Sequence, residues 1–522
     1  MADPRVIVTV KDQTQGIGGT SDLYGACVGP SSRGPTDITL VDSTKQFIEL
    51  YGKPSNTDTN DANFHYTCMM FLESAPMYIL RAVNTALYGG VHIVKSGAVG
   101  ASAAIAAGTA TPDTYSFGAD DTFALFGQNP GAWNNNLRVS VGIEASSVFT
   151  ITVEETTDGG VTYTTVETWE VSKTQGKKNG FGENIYIETR INDNSTYIYA
   201  VDNTAVTDGP KLTADLSLAT GANGSAVTAT QIILGWQEMQ ASDKQLDILL
   251  AAGWGGLGGS PSDTSVPDAI TDCAEEKGGF AILDGPDSTT ASTVVSTVGG
   301  WSQTNPRYSS AYAPYMKFVD TANNKNAFAP PSGFVGEAFA TTYAGGKRWD
   351  VPAGLSRGVL GKATGARTVW SKTERDTLTA GKVNPIKFVQ GVGYVIGGDW
   401  TLNATETVLQ SVGGQQNLTE IVTDVKEFLE SFIFENNTAA TRQRVTSRLD
   451  EYFLQRQNEG GIDDSGGDGW GVTCNETNNT SLIRSQHKLV VDIYLRLPRS
   501  IRYIYLNITL VDGDITVSEP TS

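Results

Sequence analysis

The chain has 522 residues, of which 57 are acidic, 37 basic and 39% apolar, for a formal charge of −20. That is long and apolar enough for a large core over about two to four domains, while the acid excess excludes a surface that tracks nucleic-acid phosphates without a strongly local basic patch. The four cysteines (Cys27, Cys68, Cys273, Cys474) lack zinc-site spacing and read as free thiols of a reducing compartment; with no apolar leader and no run near the roughly 18 apolar residues of a membrane span, a soluble, β- and loop-rich protein is expected.

From the N-terminus, Arg5, Val6, Ile7, Val8, Thr9 and Val10 alternate as a short strand, with no partner nearby in the sequence. Ser43 with Gln46 three residues on makes a capping box ahead of the apolar face Phe47, Ile48, Leu50 and Tyr51, and Gly52 with Pro54 closes this short helix. A second helix is expected over 61–74, where Phe64, Cys68, Phe71 and Leu72 recur at helical spacing, and a buried strand over 77–83. Residues 101–111, rich in Ala, Gly and Thr, read as a linker, and composition shifts back near Trp236. Residues 101–236 are therefore expected to form an inserted, mainly β domain. Within it 148–154 and 161–171 alternate around an Asp158-Gly159-Gly160 turn, and 184–188 and 196–200 alternate again. It carries 15 acidic and 6 basic residues, as suits a small domain wetted on most sides.

After Gln245 a strand over 246–251, a helix over 266–276 and a strand over 280–284 imply a parallel crossover unit. Ile421, Val422, Val425, Phe428, Leu429 and Phe432, then Val445, Leu449, Tyr452 and Phe453, keep i, i+3, i+4 spacing and predict two consecutive amphipathic helices. Past the Gly-rich loop 460–471, a hairpin of 488–497 with 501–511 is expected, turned at Pro498-Arg499. A last strand, Asp514, Ile515, Thr516 and Val517, again lacks a local mate.

Little in this sequence points to catalysis. Gly354-Leu355-Ser356-Arg357-Gly358 matches the nucleophile elbow of hydrolases, but only His487 follows it, at the head of an alternating segment. Gly253-Trp254-Gly255-Gly256-Leu257-Gly258 matches the dinucleotide fingerprint after a strand, yet the next helix starts too late to aim its amides at a phosphate there. A phosphate loop is absent, Asp463, Asp464 and Asp468 lack calcium-loop spacing, and His65, His92 and His487 are scattered. A non-enzymatic chain without catalytic residue, metal or cofactor is expected. The strongly basic stretches are a helix bearing Arg442, Arg444, Arg448 and Arg456, and 484–502 with Lys488, Arg499 and Arg502 among its five cations. A solvated face explains them as ordinary surface; an acidic protein partner explains them as a contact.

Several short blocks stand in order along the chain: Val28-Gly29-Pro30-Ser31-Ser32-Arg33-Gly34-Pro35 with the helix through Tyr51-Gly52, Pro130-Gly131-Ala132-Trp133-Asn134-Asn135-Asn136-Leu137-Arg138-Val139, Ala313-Pro314-Tyr315, Pro330-Pro331-Ser332-Gly333, Pro352-Ala353-Gly354 with Arg357-Gly358, Phe432-Ile433-Phe434-Glu435-Asn436-Asn437, and Arg499-Ser500-Ile501-Arg502-Tyr503-Ile504. Together they resemble the contractile bacteriophage tail sheath protein family. The inserted region and the 460–471 loop match least.

The resemblance implies an α+β fold: a mixed α/β core domain from 21–100 and 237–511, the inserted β domain 101–236 projecting outward, and extended arms 1–20 and 512–522. It implies a homo-oligomer of stacked hexameric rings around a tail tube protein, with baseplate and tail terminator proteins as further partners and neither nucleic-acid binding nor membrane insertion. The end strands Arg5–Val10 and Asp514–Val517 would be lent to neighbouring copies, and Arg442, Arg444, Arg448, Arg456, Lys488 and Arg499 would face the tube. It further implies assembly in the host cytoplasm, a place in the virion tail, and contraction that drives the tube through the host envelope. A non-contracting β-rich virion surface or adhesion protein is the alternative, and a serine hydrolase a more distant one.

Overall fold

The computed structural model describes residues 23–145, 148–255, 264–465, 467 and 469–506. Its centre is an eight-stranded sheet in the order Gly393–Ile396, Val383–Val389, Ser309–Ala313, Phe280–Asp284, Ile248–Leu250, Gly25–Pro30, Met77–Ala82, Thr39–Val41. The six inner strands are parallel and the two edge strands antiparallel. Parallel neighbours need crossovers, and helices Thr59–Phe71, Ser265–Lys277 and Ala291–Gly299 lie between strands of the sheet, the second in the crossover unit expected of 246–284 and the first where a helix was expected over 61–74. Ser43 and Asp58 cap the first two helices by accepting from backbone N–H groups in their first turns, and left-handed Gly278 ends Ser265–Lys277.

Both faces of the sheet are covered, so its five central strands are buried almost throughout. Phe64 and Phe71 of Thr59–Phe71 pack with Phe334 and Phe339 of Pro331–Tyr343 on one face. Ile232 and Trp236, Val266 and Ile270, Val294 and Leu378, each from a further helix, cover the other. Gly25 and Gly29 allow this closeness: a Cβ there would stand 2.3 Å from the rings of Phe71 and Phe64.

The β region is a sandwich. One sheet runs Ile198–Asp202, Asp121–Gly127, Gly90–Val94, Ala103–Ala104, and the other Thr213–Ser217, Leu137–Ala145, Val148–Glu155, Thr164–Val171. Val91, Phe123 and Leu125 of the first meet Val139, Phe149 and Ile151 of the second in one core. The boundary expected at 101 falls inside this sheet, because Gly90–Val94 pairs with Asp121–Gly127, and residues expected to be a linker include buried Ile105. The boundary at 236 falls inside helix Ala229–Ala241, whose Trp236 belongs to the central core. The extended segment expected at 184–188 instead runs into helix Ile187–Asn192, whose Ile187 and Ile191 reach that sandwich core at helical spacing.

Helices Val412–Glu430 and Ala439–Asn458 share a small core with the two-stranded sheet of Trp470–Thr473 and Asp492–Leu495. The hairpin expected of 488–497 with 501–511 is thereby corrected over the described residues. Asp492–Leu495 pairs back with Trp470–Thr473 inside the presumed loop, while 501–506 carries no strand pairing.

Candidate assembly surface

The arginine helix divides by depth. Arg442 and Arg456 were expected on a contact face but are buried, at 4% and 6% exposed. Arg442 donates to Asn437 Oδ1 at 2.8 Å and pairs with Glu476 at 3.6 Å. Arg456 donates from Nε and Nη2 to Asn417 Oδ1 (3.0 and 2.8 Å) and from Nη1 to Tyr452 Oη (3.0 Å), pairs with Glu420, and lies 4.7 Å from the centre of the Trp349 ring. Arg456 therefore holds the two C-terminal helices together, while Arg442 ties the start of its own helix to the preceding turn and to the segment after Trp470–Thr473; neither faces outward. Burial raises the Glu420 carboxyl above its ordinary pKa, with Arg456 pulling it back.

Arg444 and Arg448 lie further out on the same helix, with salt bridges to Glu435 (3.4 Å) and Glu451 (3.0 Å) that solvent screens. Lys488 and Arg499 are exposed. The preceding turn adds apolar surface: Ile433 is largely exposed and Phe434, at φ +71°, fully so.

The two-stranded sheet Trp470–Thr473/Asp492–Leu495 has no further strand among the described residues, so backbone edges stay open on both sides. Ile501, Tyr503, Ile504, Tyr505 and Leu506 form an apolar run that is 71–87% exposed, beyond what single scattered hydrophobes show. Arg5–Val10 and Asp514–Val517 lie outside the described residues.

Among the described residues the 354–358 motif gains no catalytic partner, and residues 256–258 of the dinucleotide pattern lie outside them. Ser356 is exposed on the four-residue helix Gly354–Arg357, and no hydrogen bond among the described residues joins it to a histidine. His65 is buried between Asp61 and the Tyr51 carbonyl, His92 contacts Asp121 at 2.7 Å, and His487 is exposed. Among the described residues no group of three His, Cys, Asp or Glu is placed to hold a metal, and no helix is long and apolar enough to cross a membrane.

Two arginines that sequence reasoning passed over join the β sandwich to the core. Arg81, 1% exposed in the strand Met77–Ala82, donates to the carbonyls of Ser31 (2.7 Å), Gly34 (2.9 Å) and Pro130 (2.8 Å). Burial lowers its pKa to about 10. A charge inside the apolar run Met77–Val83 was the available signal. Arg33 pairs with Glu155 at 3.1 Å and lies over Trp133 and Tyr197 of the sandwich.

Comparison with known proteins follows this geometry. Residues 417–510, the unit of two helices and open-edged sheet, match the family model of the phage tail sheath C-terminal domain. The tail sheath protein of Enterobacteria phage T4 is 25% identical over 368 residues, 66% of this chain and 53% of that one. That of Vibrio phage KVP40 is 24% identical over 379 residues, 68% of this chain and 54% of that one. The chain thus spans about half the length of the curated relatives it matches. In fold it is similar to the sheath tail protein of Listeria innocua (TM-score 0.57, 10% identity, 88% of this chain and 90% of that one). A second likeness is to the contracted PVC sheath complex of an extracellular contractile injection system (TM-score 0.55, 13% identity, 98% of each chain). Joined to the ordered sequence blocks, these matches support a likeness of this chain to the contractile bacteriophage tail sheath protein family.

Proposed function

We propose that this chain is the structural subunit of a contractile tail sheath. It polymerises as stacked hexameric rings around a tail tube, in the virion, with baseplate and tail terminator proteins at the ends. It contracts from a metastable extended packing to drive the tube through the host envelope. The carrying observation is the exposed apolar run Ile501–Leu506 beside a sheet with open edges. Burying each large apolar side chain in a neighbour is worth about 1.5–3 kcal/mol, and an added strand satisfies backbone groups while letting bodies move. The end strands Arg5–Val10 and Asp514–Val517 would be lent in the same way.

Relaxation between two subunit packings needs differential contacts rather than a nucleotide, and heterologous contacts that do not close in one ring give a helical polymer. Arg444, Arg448, Lys488 and Arg499 are the cations available to meet an acidic tube. Arg442 and Arg456, turned inward, are not among them.

Negative-stain imaging of the purified chain tests the reading. Long hollow tubes are expected from the intact chain and none from one ending at Ser500. Small closed oligomers from the intact chain would favour the surface or adhesion protein, and reaction of Ser356 with a serine-directed probe would favour the hydrolase.

A further inference from the structure

Just past the edge strand Gly393–Ile396, Asp399 is buried with its carboxylate turned to donors from two parts of the chain. Ser411 Oγ donates to it at 2.8 Å from the body of the subunit. From the C-terminal segment, Arg502 Nε donates at 2.7 Å and Ser500 Oγ donates as well. The Arg502 guanidinium carbon lies 3.4 Å from the centre of the Trp400 ring, which Lys382 approaches at 4.0 Å.

The body side of this arrangement is fixed without the C-terminal segment. Val412 N donates to the Asp399 carbonyl at 2.9 Å. Asn384 both accepts from Trp400 N and donates to the Trp400 carbonyl, each at 2.8 Å. A buried carboxylate with three donors and a stacked guanidinium is stronger than an exposed ion pair.

Upstream, Asp492–Leu495 is held in its sheet and Arg496 by backbone bonds to Gly469 and Asp463; beyond the clip the segment is loosely held. Pro498, Ile501 and Tyr503 wall a cavity of about 630 Å³, with Trp349 and Lys387 also lining it. No backbone hydrogen bond joins 501–506 to the rest of the described residues, and Tyr503 to Leu506 stand in solvent.

We infer that Asp399, Ser411 and Trp400 are positioning residues that clip Ser500 and Arg502, fixing the root of the C-terminal arm on its own subunit. The run Ile501–Leu506 is thereby presented in one direction to a second copy of the chain. A tethered strand with a fixed root starts near its acceptor and has less freedom to lose on docking than one swinging from a longer tether. The arm then begins at Ile501, upstream of the boundary at 512 expected from sequence. The identity of the partner rests on the polymer reading above; the clip does not.

The test uses two full-length variants, Arg502→Met, which changes only the departing segment, and Asp399→Asn. Chymotrypsin must draw 500–502 into its cleft to cut after Tyr503, so cleavage there reports clip opening in the unassembled protein. It is expected to quicken about tenfold in both variants, with the melting temperature of the body unchanged, and the variants are expected to form short or irregular tubes. Unchanged cleavage in both variants overturns the clip. Faster cleavage with tubes as long and regular as the wild type overturns its role in presenting the arm. A wild-type chain that forms no tubes refutes the polymer reading instead, and cleavage after Tyr503 still decides whether the clip exists.

Discussion

Arg456→Met tests how the C-terminal helices are held. Methionine keeps an unbranched stem against Trp349 but removes the donors to Asn417 and Tyr452 and the charge facing Glu420. Breaking a buried ion pair from one side costs about 3–5 kcal/mol, because the remaining charge is left unpaired. Glu420 keeps Arg348 as a second partner at 3.9 Å and some solvent contact, at 19% side-chain exposure, which argues for the lower end, about 3 kcal/mol. At 1.4 kcal/mol per tenfold this is on the order of a hundredfold in the local opening equilibrium. Amide hydrogen exchange on the full chain reads it: helices Val412–Glu430 and Ala439–Asn458 should lose about a hundredfold protection while the central strand Phe280–Asp284 keeps its own. Adding Glu420→Gln should recover part of the loss by removing a buried carboxylate left with Arg348 alone. Less than about threefold loss of protection in the single variant would refute the claim that this network ties the helices together.

Burial raises the Asp284 pKa to about 6 from 3.8, against the pull of donors on Gly253 and Ser332. A raised folded pKa means the contribution is full below the unfolded value and is lost as pH rises through about 6, so Asp284→Asn should gain on the wild type by about 2 kcal/mol between pH 4 and 7. Thermal melts whose difference does not change with pH would refute this. Arg81→Lys should cost about 2–3 kcal/mol, since one ammonium cannot match three carbonyls in guanidinium geometry, and should loosen exchange around 31–34; an unchanged melting temperature would count against the junction role. Arg444→Glu with Arg448→Glu should stop extended sheath forming on tail tubes by electron microscopy, and normal sheath would remove them from the tube-facing set.

The crossover unit was legible because both its periods were clean: strand Phe280–Asp284 has the bounds expected, and helix Ser265–Lys277 lies within one residue of them. The hairpin of Val148–Glu155 and Thr164–Val171 likewise followed from alternation around Asp158-Gly159-Gly160. The C-terminal hairpin misled because alternation fixes the faces of a strand but not its partner; the 460–471 loop supplied that partner from Trp470. Arg456 read as surface because its chief acceptors, Asn417 and Glu420, lie 39 and 36 residues upstream on another helix. Asp399 gave no signal, since its donors Ser500 and Arg502 are 101 and 103 residues away.

The central sheet also sets a timetable for synthesis. Tyr24, at the threshold of strand Gly25–Pro30, is bonded to Asp247, 223 residues later. At about 5–20 residues per second, a ribosome leaves one edge of that all-buried strand waiting roughly 10–45 s for Ile248–Leu250. The β sandwich, whose strands all lie between 90 and 217, emerges complete within that gap. Nascent chains thus carry a finished sandwich on an unfinished centre, and crowding on one messenger exposes like edges to like.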